Sequence, residues 1–339
     1  MDGAVARLRL TRRQILAFRR RVGGLEERVP LTAGSLRQAA WAGLQDSMPR
    51  AALLSLHARL EGVEPSSWEH PSLAQLWGPR FSTYVVPKRD FALFSLGRHP
   101  EDKKGRQRAE RNAERMHAGL GSKRMTDREL GRAIGLGNAM RYAATTGTIA
   151  IRWEGARAPT VWAVEAARIE PASARRELAR RYLHVFGPTT AKAFARWAGI
   201  GREAAADAFA SLEGSLLPVR SPLGDEWLLA EDEAAMRAAD PASSSVRLLP
   251  SGDAYFLIHG AERELLLPRE DQRQRLWTSR VWPGALLVEG EIRGTWRRAQ
   301  HTVVIDAWTR LSRGKREAVE GEAMALPLPG LERPIEVVW

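Results

Sequence analysis

Cysteine is missing from this sequence altogether. Its absence excludes a disulfide framework, a zinc site built on thiolates and a thiol nucleophile. No apolar run approaches the roughly 20 residues that a bilayer span requires. The opening Met1-Asp2-Gly3-Ala4-Val5-Ala6-Arg7 lacks the basic-then-apolar layout of a secretory signal, so a cytoplasmic location is expected. Histidine is scarce, with seven residues scattered along the chain, and no metal site is expected. There is no glycine-rich phosphate loop followed by lysine, no H-E-x-x-H and no G-x-S-x-G, so neither a cofactor nor a hydrolase of those classes is indicated. His57, between apolar residues in a helical stretch, reads as a partly buried structural histidine rather than a catalytic one.

What is present describes a globular protein. Its 339 residues are 44% hydrophobic and 27% charged, enough for two to three domains that each own a core. The formal charge is +12, carried mostly by arginine. Guanidinium forks match phosphate geometry and stay charged, so the balance favours a polyanion as partner. Solvated arginines without a partner are the competing explanation. An anionic membrane surface fits less well, because no strongly amphipathic basic helix with an aromatic face stands out.

Local signals give an order of elements. Thr126-Asp127-Arg128-Glu129 is a capping box that opens a helix through Ile134, and Gly135 and Gly137 supply a turn. A second helix is expected from Asn138 to Ala144. The β-rich runs Thr148–Trp153 and Thr160–Val164 follow, turned by Glu154-Gly155-Ala156-Arg157-Ala158-Pro159. Helix, turn, helix and hairpin is the order of a winged helix. The order recurs in a helix capped by Ser173 and running to Val185, a second after Thr189-Thr190, and a third from Arg202 to Leu212. A hairpin of Leu216–Arg220 with Glu226–Leu229 completes that unit. The N-terminal part reads as a third such unit, with helices at 11–21, 35–43, 49–60 and 89–97 and a strand at Phe81–Val86. The stretch 101–118 reads as a charged helix, for which the role of a solvated linker is the preferred reading.

After Asp240-Pro241 strands dominate: Arg247–Pro250, Tyr255–Ile258, Ala285–Val288, Glu291–Arg298 and His301–Trp308. A helix near 313–325 and a last strand at Pro334–Trp339 close the chain. The expected fold class is therefore α+β, tandem winged-helix domains followed by a β-rich C-terminal region. The units are residues 1–100, 101–170, 171–240 and 241–339.

The most informative short stretch is Gly43-Leu44-Gln45-Asp46-Ser47-Met48-Pro49-Arg50, which bridges two helices. In extended backbone Gln45 and Ser47 point one way and Asp46 the other. A purely structural reading has Asp46 or Ser47 capping a helix that begins at Pro49. In Thr295-Trp296-Arg297-Arg298 an aromatic and two cations lie together, which suits either a nucleic-acid contact or a structural role.

These blocks carry a family likeness. Gly43-Leu44-Gln45 leading into Pro49-Arg50-Ala51-Ala52-Leu53-Leu54, Arg181–Pro188 with Phe194–Trp197, Arg247-Leu248-Leu249-Pro250, Pro283–Gly290 and Gly294–Arg298 together resemble the AlkZ-like winged-helix DNA glycosylases. That family unhooks alkylated bases and interstrand crosslinks. The resemblance implies tandem winged helices, a β-rich C-terminal part, and a catalytic motif of glutamine, hydrophobic residue, then glutamine or aspartate. Gln45 matches the first position, Asp46 stands at the hydrophobic one, and Ser47 falls at the second catalytic position.

It further implies a monofunctional DNA glycosylase acting on alkylated or crosslinked purines, with Gln45 orienting water and Asp46 or Ser47 assisting. A winged-helix protein that recognises damage without cutting, or a transcriptional regulator, is the alternative. In every case the expected partner is double-stranded DNA, bound by a monomer without membrane or metal. Arg152, Arg157, Trp296, Arg297 and Arg298 are the candidate DNA contacts.

Overall fold

A computed structural model describes residues 7–48, 50–155 and 157–339. The architecture is α+β, with four sheets joined by helices. The largest sheet has six strands in the spatial order Leu44–Gln45, Thr83–Pro87, Leu73–Trp77, Ile149–Arg152, Thr160–Ala163 and Met125–Thr126. Every neighbouring pair in it is antiparallel, and the link between its halves is the single register pair Gln75 with Ile151. A three-stranded sheet sets Leu8–Arg9 parallel to Leu216–Ser221, which pairs in turn with Gly224–Leu229. Five strands between Val246 and Val338 form the C-terminal sheet.

Helix, turn, helix and hairpin do follow one another from Thr126 onward. Thr126 accepts from Glu129 N–H while the Glu129 carboxylate accepts from Thr126 N–H, so both halves of the capping box are made. The second helical element differs from expectation. Gly137–Thr146 winds as a 3₁₀ helix without a side-chain cap, and the Thr145 and Thr146 hydroxyls donate back to Tyr142 and Ala143 carbonyls. Such local hydroxyl bonds compete with the α-helical ladder. In the next segment Pro171–Phe186 starts at a proline in its first turn rather than at a Ser173 cap. Thr190 does cap Ala191–Ala198, and Arg202–Ala210 and the hairpin follow.

Two other expectations are overturned. The charged helix after residue 100, Lys103–Leu120 with its cap at Asp102, is no solvated linker. Its Ala109, Ala113, Met116 and Leu120 recur at helical spacing and pack on Leu130, Met140 and Ala143, so its charges occupy only the outer face. Tyr255–Ile258 is not a strand either. Asp253 accepts from Tyr255 N–H at 3.0 Å and closes a 3₁₀ turn over Ala254–Phe256.

The same carboxylate is gripped by Arg59, with Nη1–Oδ2 at 2.7 Å and Nη2–Oδ1 at 2.9 Å, both side chains being buried. Arg28 with Glu322 and Arg181 with Asp90 make comparable long-range pairs. Much of the arginine is therefore structural. The main core is aromatic where Pro171–Phe186 meets Ala191–Ala198: by ring centroids Tyr182 lies 4.7–5.5 Å from Phe186, Phe194 and Trp197, and Trp197 lies 5.9 Å from Phe186 and 6.2 Å from Phe194. No described helix is long and apolar enough to cross a membrane.

Candidate active site and nucleic-acid interface

Gln45 ends a short edge strand laid against Thr83–Pro87, in register with Tyr84. Gly43 makes that approach possible: its φ is +79°, and a Cβ there would sit 2.9 Å from the Phe94 ring and 3.0 Å from the Tyr84 ring. The Gln45 side chain is half-buried. Its Oε1 accepts from Arg80 Nη2 at 3.1 Å and from the Tyr84 hydroxyl at the long distance of 3.5 Å. Among the described residues its Nε2 makes no hydrogen bond. A Cβ on Gly252 (φ +80°) would come within 3.1 Å of that nitrogen, so the backbone of the 250–253 turn forms one wall beside it. A carboxamide fixed through its oxygen, with an uncommitted N–H₂, can hold a water or a sugar oxygen.

Asp46 points the other way, as strand alternation requires. It is 1% exposed. Its Oδ1 accepts from Ala52 N–H at 3.0 Å and its Oδ2 from Gln75 Nε2 at 3.0 Å. The carboxylate thus caps the helix Ala51–His57 from outside its end, which is the structural role foreseen for this stretch. Burial pushes its pKa up to about 7, against the opposing effects of the Ala52 N–H, Arg50 and Gln75. Gln75 extends the chain of contacts, because its Oε1 accepts from Trp153 N–H at 2.7 Å.

Ser47 is exposed, on the solvent side of the same loop. The proposed first-turn proline, Pro49, lies outside the described residues. Arg50 adopts φ +66°, and its guanidinium lies 4.0 Å from the centroid of the Trp68 ring. His57 is buried in the helix that follows, and its burial lowers its pKa to about 4 and keeps it neutral.

Three further residues reach this place from distant segments, and nothing in their sequence surroundings announces them. Arg80 is in the left-handed region (φ +54°), as is Phe81 (φ +58°), and its backbone rests on Gly199, where a Cβ would come within 3.1 Å of Arg80 N. From that turn Arg80 Nη2 reaches Gln45 while Nη1 donates to His259 Nε2. Arg263 Nε donates to Ile258 O at 3.0 Å, and its guanidinium lies over Trp277 and Trp282 at 4.8 and 5.2 Å. Arg196 is exposed, with Nη1 only 2.8 Å from where a Cβ of Gly260 would be. Burial, then Arg80, Arg263 and Arg196 in that order, lower His259 to a pKa of about 4. It is a neutral imidazole among cations.

The DNA contacts expected from sequence divide. Arg152 is half-exposed but engaged, with Glu69 at 2.8 Å and Glu154 at 3.1 Å, and it stands 5.2 Å from the centroid of the Trp68 ring that Arg50 also approaches. Arg157 is exposed in the hairpin turn. Arg297 and Arg298 are exposed on the outer half of Glu291–Ala299. Trp296 is 5% exposed and donates Nε1–H to Leu249 O at 2.8 Å inside the C-terminal core, so no base can stack on it. The structure brings Gln45, Asp46 and Ser47 together on one loop. Arg152 reaches them indirectly, through the Gln75–Trp153 contact and through the Trp68 ring that it shares with Arg50.

Comparison with known proteins gives two positive findings. A family model described as "DNA glycosylase AlkZ-like" matches residues 39–327. The fold is similar to that of Streptomyces sahachiroi DNA glycosylase AlkZ, with a TM-score of 0.78 at 18% identity, covering 98% of this chain and 100% of that one. No curated protein sequence matches.

Proposed function

The chain belongs to the AlkZ-like DNA glycosylase family, whose members are hydrolases acting on N-glycosyl bonds, and we propose that it excises cationic alkylated or crosslinked purines from duplex DNA. The observation that carries this reading is Gln45. Its carbonyl oxygen is tied by Arg80 and Tyr84, and its Nε2 is left uncommitted beside the Gly252 backbone.

An N7- or N3-alkylated purine already bears the positive charge that makes it a leaving group. It departs as a neutral base, so no general acid is required. The protein must hold a water and stabilise an oxocarbenium-like sugar with oriented dipoles. Gln45 orients that water, and the exposed Ser47 hydroxyl holds its far side. Asp46 positions the loop through Ala52 and Gln75 and does not touch the sugar. Proton donors are in any case poor here: His259 titrates near 4, and burial lifts the Tyr84 phenol to about 12.

In this reading residues 1–100, 101–170 and 171–240 are tandem winged helices and 241–339 a β-rich unit, with Leu8–Arg9 crossing to the third hairpin. Arg152, Arg157, Arg297 and Arg298 contact phosphates, the protein acts as a monomer, and Trp296 supports the sheet from within. Its place of work is the nucleoid.

The test is base release from duplexes carrying N7-methylguanine and, separately, the neutral base hypoxanthine. Gln45→Ala is expected to lower N7-methylguanine release by about 10²–10³-fold, the usual cost of one oriented dipole. Hypoxanthine should be untouched by the wild type. A second reading, damage recognition without cleavage, is favoured by Ser47 standing where a longer polar side chain is expected. Intact binding without release from either duplex would select it.

A further inference from the structure

Many of this protein's arginines are committed to ion pairs and many, buried Arg98 and Arg247 among them, are not; the three described next differ in converging on one turn. Arg12, Arg19, Arg20, Arg28, Arg59, Arg175 and Arg181 each meet a carboxylate. Arg80, Arg196 and Arg263 do not: among the described residues none of the three forms an ion pair, although all converge on the His259–Gly260 turn. The carboxylate adjacent in sequence, Glu262, is buried and turned inward, 3.6 Å from Arg19 and 3.4 Å from the Thr189 hydroxyl. It still lies close enough to Arg196 to feel its charge, without bonding to it. Burial, and then Arg80 and Arg196, lower the pKa of Arg263, which is the signature of like charges held together without an anion between them.

Two of the three are anchored by something other than charge. Arg80 is fixed by Gln45 and His259, and Arg263 by Ile258 O and two tryptophan faces. Arg196 lies against the side-chain-free surface of Gly260 (φ +63°). Preorganised guanidiniums of this kind are suited to bidentate capture of phosphate oxygens. They also pose a problem for the chemistry at Gln45. A sugar gaining positive charge beside Arg80 is repelled unless that cluster is neutralised first.

We propose that Arg80, Arg196 and Arg263 form a clamp for the DNA phosphodiesters flanking the nucleotide that Gln45 addresses. This rests on the glycosylase reading for its location, but the clamp itself is a binding device and can be tested without turnover. Binding would neutralise the cluster and, through Arg80, set the Gln45 carboxamide in place.

The experiment uses labelled duplexes bearing a tetrahydrofuran abasic analogue, each with one flanking phosphate replaced by an uncharged methylphosphonate. Wild-type binding is expected to weaken about tenfold or more at one or two flanking positions, the scale of a lost charge-assisted bond. Arg196→Gln, at a side chain that makes no hydrogen bond among the described residues, should remove that position-specific penalty and reduce the salt slope by about 0.9. Arg263→Gln checks the second position, and a failure of that variant to fold leaves the Arg196→Gln cycle intact.

Equal wild-type affinity for every methylphosphonate duplex, or no binding at all, overturns the clamp. So does an Arg196→Gln variant that weakens all duplexes alike and keeps the penalty. If the cycle shows coupling while no base is ever released, the clamp stands and the glycosylase reading falls.

Discussion

Asp46→Asn should invert the ranking of wild type and variant between pH 4 and pH 8. Asp46 has an ordinary pKa of 3.8 in an unfolded chain and about 7 in the folded protein, where burial dominates its environment. The folded state therefore binds this proton more tightly than the unfolded state. The associated stability is fully present below about 3.8, declines as pH rises, and is lost above about 7. The difference corresponds to about 4 kcal/mol, falling by about 1.4 kcal/mol per pH unit in between. Against a total stability of about 5–15 kcal/mol this is large.

Asparagine removes the titration but introduces a clash of donors. Its Oδ1 can still accept from Ala52 N–H, whereas its Nδ2 meets Gln75 Nε2, and Gln75 cannot turn over without surrendering Trp153 N–H. That mismatch costs about 1–3 kcal/mol at every pH. Urea unfolding at pH 4, 5, 6, 7 and 8 should show Asp46→Asn less stable than wild type at pH 4 and more stable at pH 8. A difference between the two proteins that does not change with pH refutes the argument. Base release should survive the substitution, because the carboxylate faces Ala52 and Gln75. A loss as deep as that of Gln45→Ala would place Asp46 among the catalytic groups.

Two other substitutions test the frame. A Cβ on Gly284 would lie 2.2 Å from Trp296 Nε1 and 2.5 Å from Leu249 O, the two atoms joined by the buried indole hydrogen bond. Gly284→Ala should therefore cost about 3 kcal/mol in denaturant unfolding, overpacking and the lost bond together. Glu226, 6% exposed with Oε2 unpartnered, is pushed up to a pKa of about 7 by burial, and nearby Glu262 adds to the effect. Its contribution also fades as pH rises through 7, so Glu226→Gln should stabilise the protein by up to about 3 kcal/mol at pH 8 and change little at pH 4.

Local chemistry made parts of this fold readable and non-local chemistry hid the rest. The Thr126–Glu129 box and the Thr190 cap are decided within four residues, and both stand as expected. The alternation of Gln45 and Asp46 was likewise visible, since neighbouring strand residues face opposite sides. The helix at Lys103–Leu120 was legible, but its charged majority obscured the packed face that Ala109, Ala113, Met116 and Leu120 carry. Tyr255–Ile258 looks like a strand and fails to be one because Asp253, locked by Arg59 almost 200 positions away, takes the Tyr255 N–H. Trp296 was ambiguous for the same reason: its fate depends on Leu249 O across the sheet. Arg80, Arg196 and Arg263 carry no local mark at all, being assembled only by tertiary contact.

The division of the arginines also explains how a site with an abbreviated motif can work. Composition indicates a polyanionic partner, but net charge cannot separate cations that hold the fold from cations that await a ligand. Burial and pairing do. Once Arg59, Arg181 and Arg28 are assigned to Asp253, Asp90 and Glu322, the unpaired set beside Gln45 is small and directional. Phosphates drawn to it would offset its cations next to the sugar and so relieve a repulsion of about 4 kcal/mol per unit charge at 4 Å in an effective dielectric near 20. On the proposed reading, Gln45 would then orient the water beside a site that no longer opposes a growing positive charge.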